Sequence, residues 1–166
     1  MATQQTMSEK DLYVTRFEIE HQITRKVLRA YPAEKADLKP AEGSQSAREV
    51  AWALVQYETE VERIIQGEPM PKEMPPAPAT WPEILAAFDD VHKRATMKLA
   101  KLTDEATNGT VRTMTGPKQE GDVRKGDMFW AMLNEIIHKR GQFSVYLRMA
   151  GGKVPSIYGP SGDEPW

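Results

Sequence analysis

Apolar residues recur at helical spacing in four stretches of this 166-residue chain. In the first, Phe17, His21, Thr24 and Leu28 share one stripe. Ser8 is placed to cap that helix, Glu9 and Asp11 suit its first turn, and Pro32 ends it soon after Ala30. The second opens on Ser46 with Glu49 three residues on, a capping box. Its stripe is Val50, Leu54, Tyr57, Val61, Ile64 and Ile65, and Gly67 stops it. The third starts at Thr80-Trp81-Pro82-Glu83, where a cap, a proline at the first turn and a glutamate coincide. It continues through Leu85, Phe88, Val91, Ala95, Leu99 and Leu102. The fourth spans Lys125–Ala150 with Phe129, Met132, Leu133, Ile136, Ile137, Phe143, Tyr146 and Leu147, before Gly151-Gly152.

The connections complete the expected architecture. Residues 31–45 carry Pro32, Pro40 and Gly43. Residues 68–80 hold five prolines and predict a stiff, extended crossover. Residues 103–124 predict loop, with turns at Asn108-Gly109 and Gly116-Pro117 and strand character at Thr110–Met114. Residues 1–7 are polar and predict disorder, whereas the aromatics of the 153–166 tail favour a strap over the helices. The fold expected is all-α: a single-domain, up-down-down-up four-helix bundle over 1–166, whose long Pro-rich crossover lets the second and third helices run parallel.

Composition narrows the class. A formal net charge of −2 and a pI near 6.0 give no electrostatic footprint for nucleic acid. The absence of cysteine excludes disulfides, thiolate ligation and cysteine catalysis. No stretch reaches the length of a membrane span and the polar N-terminus is no signal peptide, so a soluble cytoplasmic protein is expected, with no membrane partner.

Candidate chemistry centres on the last helix. Asn134 and His138 stand four apart, one turn apart on one face, the spacing by which a helix offers two side chains to one ion or substrate. Gly141 at mid-helix suggests close approach by another backbone. His21 lies on the inner stripe of the first helix, and Glu58 lies at the edge of the second helix's stripe, within reach of the same layer. His21, Glu58 and His138 together would be two imidazoles and a carboxylate, a set known from open metal sites. The plainer readings make His138 a partly buried histidine bonded by Asn134 or a carbonyl, and Glu58 a solvated charge. They make His92 a polar residue at a helix boundary, and Glu18, Glu20, Asp89 and Asp90 surface groups. Trp52 and Trp130 are core aromatics or, where they face a pocket, substrate-binding groups. No Ser-His-Asp order, phosphate loop or dinucleotide fingerprint is present.

The stretch HKRGQFSVYLRMAGGKVPSIYGPSGDEPW at 138–166 resembles the DinB/YfiT-like family. FEIEHQITRKVLRAYP in the first helix, SAREVAW opening the second and Thr80–Glu83 opening the third fit the same pattern. The resemblance implies a bundle, often dimeric, holding nickel or zinc through one histidine on the second helix and an HxxxH pair on the fourth. His138 matches the second member of that pair, Asn134 stands in place of the first, and Ala53, after Trp52, stands where the second-helix histidine is expected. Two function classes follow. One is a metal-dependent hydrolase or thiol transferase, with the ion activating water or a thiol at His138, His21 and either Glu58 or Asn134. The other is a metal-free member of the fold that binds a small molecule or acts as a dimeric interaction module. A homodimer also fits the apolar residues on more than one face of the first and last helices: Leu12, Val14, Phe17 and Ile19, with Met128, Phe129 and Trp130.

Overall fold

The computed structural model describes residues 7–69, 71 and 73–166; apart from an exposed Met7, the disorder expected for residues 1–7 lies outside the described residues. The described chain is mostly helical. Its helices are α1 (Glu9–Arg29), α2 (Ala47–Gln66), α3 (Trp81–Leu99), α4 (Asp104–Asn108) and α5 (Lys125–Met149), with one antiparallel pair of strands, β1 (Thr110–Gly116) and β2 (Gln119–Arg124).

Three of the four long helices begin at a side-chain cap; α5 starts after Arg124 without one. The Ser8 hydroxyl accepts from the Asp11 amide at 3.2 Å. At Ser46 the box is reciprocal: the Glu49 amide donates to the Ser46 hydroxyl at 3.3 Å, and the Ser46 amide donates back to the Glu49 carboxylate at 2.6 Å. Thr80 and Glu83 repeat it at 3.4 and 3.0 Å. Gly67 ends α2 in the left-handed region, with φ of 72°.

The 103–124 segment is richer than expected. The Thr103 hydroxyl caps α4, and the chain then turns into a hairpin in which Val111 and Thr113 face inward. Alternating β-branched residues make β1, where strand character is expected at Thr110–Met114; β2 and α4 are the additions to the expected loop.

The core lies between the four long helices. Helix α2 packs on α3 and α5, and α1 packs on α5 and α3. Tyr31, Trp81 and Phe143 stack at one end, and Tyr13, Phe129 and Trp130 cluster at the other. The tail is strapped on: Arg148 pairs with Asp163 and Lys26 with Glu164, each at 2.6 Å. Close backbone approach falls at Gly152, where a Cβ would lie 3.2 Å from the Ala30 carbonyl, and not at Gly141, which is exposed with nothing near. Phe17 and Phe129 are core residues, while Leu12 and Ile19 remain 42% exposed. Among the described residues no helix is long and apolar enough to cross a membrane.

Candidate metal centre

Three helices each send one ionisable side chain into the core at the same level. His21 of α1 is 4% exposed, Glu58 of α2 is fully buried and His92 of α3 is 7% exposed. His21 and His92 fall on their helices' inner stripes: Phe17 precedes His21 by one turn, and Phe88 precedes His92 likewise. The rings stack with centroids 3.6 Å apart, and Phe88 and Phe17 cover their outer faces at 4.4 and 4.8 Å.

Glu58 bridges the pair. Its Oε1 lies 2.9 Å from His21 Nδ1 and its Oε2 lies 3.2 Å from His92 Nδ1. The far nitrogens meet carboxylates as well: His92 Nε2 is 2.8 Å from Glu18, and His21 Nε2 is 3.6 Å from Asp89. Asp89 is held in turn by Arg25 at 2.8 Å. The partners are exchanged between helices: Glu18 precedes His21 by three residues and Asp89 precedes His92 by three, yet each acid serves the other helix's histidine.

A neutral imidazole has one N–H, and an ionised carboxylate only accepts. His21 can give its single N–H to Glu58, because its other nitrogen is 3.6 Å from Asp89, beyond hydrogen-bond reach. His92 faces a carboxylate at hydrogen-bond distance from each nitrogen, so one of its two contacts calls for a second proton on the ring or for a cation. Burial works against a charged His92, but its hydrogen bonds to the Glu58 and Glu18 carboxylates outweigh it and raise its pKa. Glu18 is lowered, chiefly by its bond from His92 and then by Gln22.

The donor set fits a metal on its own terms. His21, Glu58 and His92 each offer a ligand atom, and these atoms lie within 4.8 Å of one another. Two imidazole nitrogens and a carboxylate oxygen suit zinc or nickel. Tetrahedral ligands with zinc bonds near 2.0–2.1 Å stand about 3.3 Å apart, close to the observed 2.9 and 3.2 Å, and the two rings, stacked at 18°, would tilt to aim both lone pairs at one ion. Carboxylates on the far imidazole nitrogens are the usual supports of histidine ligands, fixing tautomer and ring orientation.

The structure redistributes the residues expected at the site. It brings His21 and Glu58 together, with His92 as their third partner. His138 and Asn134 stand apart and exposed, and His138 bonds only its helical neighbour Gln142, at 3.1 Å. Both lie two residues from Ile136, roughly 200° around the helix from that buried side chain. Their shared face is real, but it is the outer one, because α5 turns Leu133, Ile136, Arg140 and Phe143 inward. Trp52 and Trp130 are half-buried and bonded to different neighbours: Trp52 donates to the Pro75 carbonyl at 2.7 Å, and Trp130 to Glu9 at 3.1 Å. His92 was the residue that pattern reading missed; its signal was the matched acid-x-x-His spacing on two helices, a spacing carboxylate-rich bundle sites use. Glu20 is no surface group either: it is buried against Arg140.

No curated protein matches the sequence. Among solved structures, a DinB-like protein from Bacillus cereus superposes with a TM-score of 0.72 at 23% identity, over 88% of this chain and 95% of that one. A DinB-like protein from Bacillus subtilis gives 0.70 at 18% identity, over 88% and 97%. At these identities the likeness is one of fold. The family model described as the DinB family matches residues 1–165, and the chain belongs to that family.

Proposed function

We propose that this protein is a metal-holding member of the DinB family, built as an up-down-down-up four-helix bundle that grips one divalent ion, zinc or nickel, in its core. The contacts between helices support the topology. Trp81, at the start of α3, meets Leu28 near the end of α1, whereas His92 further along meets Glu18. Tyr13 meets Phe129 and Tyr31 meets Phe143, so α5 runs with α1. Gln45, just before α2, meets Tyr146 late in α5, and Ile65 meets Lys125.

The observation that carries the metal reading is the buried convergence of two imidazoles and the Glu58 carboxylate, whose ligand atoms lie within 4.8 Å of one another. A bound divalent ion would supply Lewis acidity and two positive charges there. His21, Glu58 and His92 would hold it, Glu18 and Asp89 would orient the rings, and Phe17 and Phe88 would exclude water. Such enclosure supports a structural ion. A hydrolase or thiol-transferase role would need a substrate to reach a fourth position on the ion. Self-association through the α1 face bearing Leu12 and Ile19 belongs to the same reading; sedimentation as an 18.8 kDa species alone at micromolar concentration would remove it.

The test is calorimetric titration of zinc, and separately nickel, into chelator-treated protein. One saturable site per chain, abolished by Glu58→Gln, is the expected result. No saturable binding to the folded wild-type chain would end the reading.

A further inference from the structure

On the opposite seam of the molecule, between α2 and α5, two cavities share two residues. One, of about 440 Å³, is lined by Ser44, Gln45, Lys139 and Gln142 over an apolar floor that includes Val50 and Tyr146. The other, of about 290 Å³, also touches Gln45 and Lys139 and runs between Ala53, Tyr57 and Met132, with Met74 of the Pro-rich crossover as its outer wall. Together they match the size of sites that take small organic ligands. They lie apart from the His21–Glu58–His92 centre, none of whose residues lines them.

The charge at the junction is unspent. Lys139 Nζ has only the Gln45 side-chain oxygen beside it, at 3.5 Å, and no carboxylate within ion-pair distance among the described residues. The larger cavity contains no acidic side chain. The smaller one contains Glu60, but that carboxylate is already paired with Arg63 at 3.1 Å, and its burial raises its pKa. A ligand's negative charge is therefore favoured at the Lys139 end, where Ser44 and Gln142 add neutral hydrogen-bond donors, and its apolar body at the Ala53–Met132 end. Alanine at 53 matters here, because a larger side chain would fill the second chamber.

We propose that this seam binds a small carboxylic acid with an apolar body. Its carboxylate pairs with Lys139, and its hydrocarbon portion lies between Ala53 and Met132. The proposal is independent of the metal centre.

Octanoate, octanol and octylamine are the probes, each titrated into full-length protein by calorimetry and by protein-observed NMR. Octanoate is expected to bind at one site and to perturb signals of Lys139 and Met132, at least tenfold tighter than octanol and with no octylamine binding. Lys139→Gln is expected to weaken octanoate at least tenfold and leave octanol unchanged. Ala53→Leu, which narrows the inner chamber while α2 stays helical, is expected to weaken both. Preference for the amine would overturn the proposal, as would octanoate binding unchanged by Lys139→Gln, or no saturable octanoate binding to the folded wild type.

Discussion

Two buried polar clusters begin at adjacent residues of α1 and are built on opposite electrostatic logic. Glu20 faces α5, where Arg140, only 1% exposed, reaches it at 2.5 Å, bonds Thr24 at 3.2 Å and contacts the Tyr158 hydroxyl of the tail. A fixed cation meets a fixed anion there, and every partner is covalently part of the chain. His21 faces α2 and α3, where Glu58 and Asp89, with Glu18 of α1 itself, surround two imidazoles. Among the described residues no arginine or lysine pairs with the ring nitrogens or Glu58. A core can thus carry a closed arginine–glutamate pair one residue away from an imidazole–carboxylate cluster that has no fixed cation of its own among the described residues.

Breaking the closed pair should have the largest effect. Arg140→Ala leaves Glu20 buried without its cation and should cost about 3–5 kcal/mol in denaturant unfolding, with the same loss in chelator as in zinc. Removing metal from the wild type is next: at an ion concentration a hundredfold above the dissociation constant, about 2.7 kcal/mol of stability should disappear on chelation, and none in His92→Ala. Glu18→Gln, which loses the carboxylate behind His92, should weaken metal binding about 10–100-fold in competition with a chelating dye while the ligands stay in place. Tyr158→Phe should be mildest, about 1 kcal/mol, with metal affinity unchanged.

pH separates the clusters further. In metal-free protein His92 has a raised pKa, so its contribution is fully present below its unfolded pKa of about 6.5 and is lost as pH rises through the folded value. The chelated wild type should therefore lose stability as pH rises above about 6.5, and His92→Ala should not show that slope. In zinc the trend reverses, since the ion competes with protons for the imidazoles. A chelated wild type whose stability stays flat from pH 6 to 8 would remove His92's charge from the account.

Much of the scaffold was legible because helix starts are local chemistry. Ser46–Glu49 and Thr80–Glu83 need only residues three apart, and Gly67 needs only its own backbone freedom. The hairpin and α4 were harder, since their strand register depends on a partner that composition does not name. The site was half legible. His21 stood on a clean stripe, and Glu58 lay close to one. On α5 the apolar residues surround the helix, with Met128, Trp130, Met132 and Ile137 all partly buried, so the pattern did not reveal which face is inward. His138 and Asn134 were consequently placed in the core, while Arg140, two residues on from His138, is what points there. His92 was passed over because its role needs Glu58 and Glu18, 34 and 74 residues away.

The central claim is that the core histidines of α1 and α3, and not the exposed one on α5, hold the ion. Elemental analysis of protein purified without a histidine tag tests it directly, comparing wild type with His92→Ala and His138→Ala. The account predicts one zinc or nickel ion per wild-type chain, retained in His138→Ala and absent from a folded His92→Ala. Metal that persists in His92→Ala and vanishes in His138→Ala, or a wild type that carries none, would contradict it.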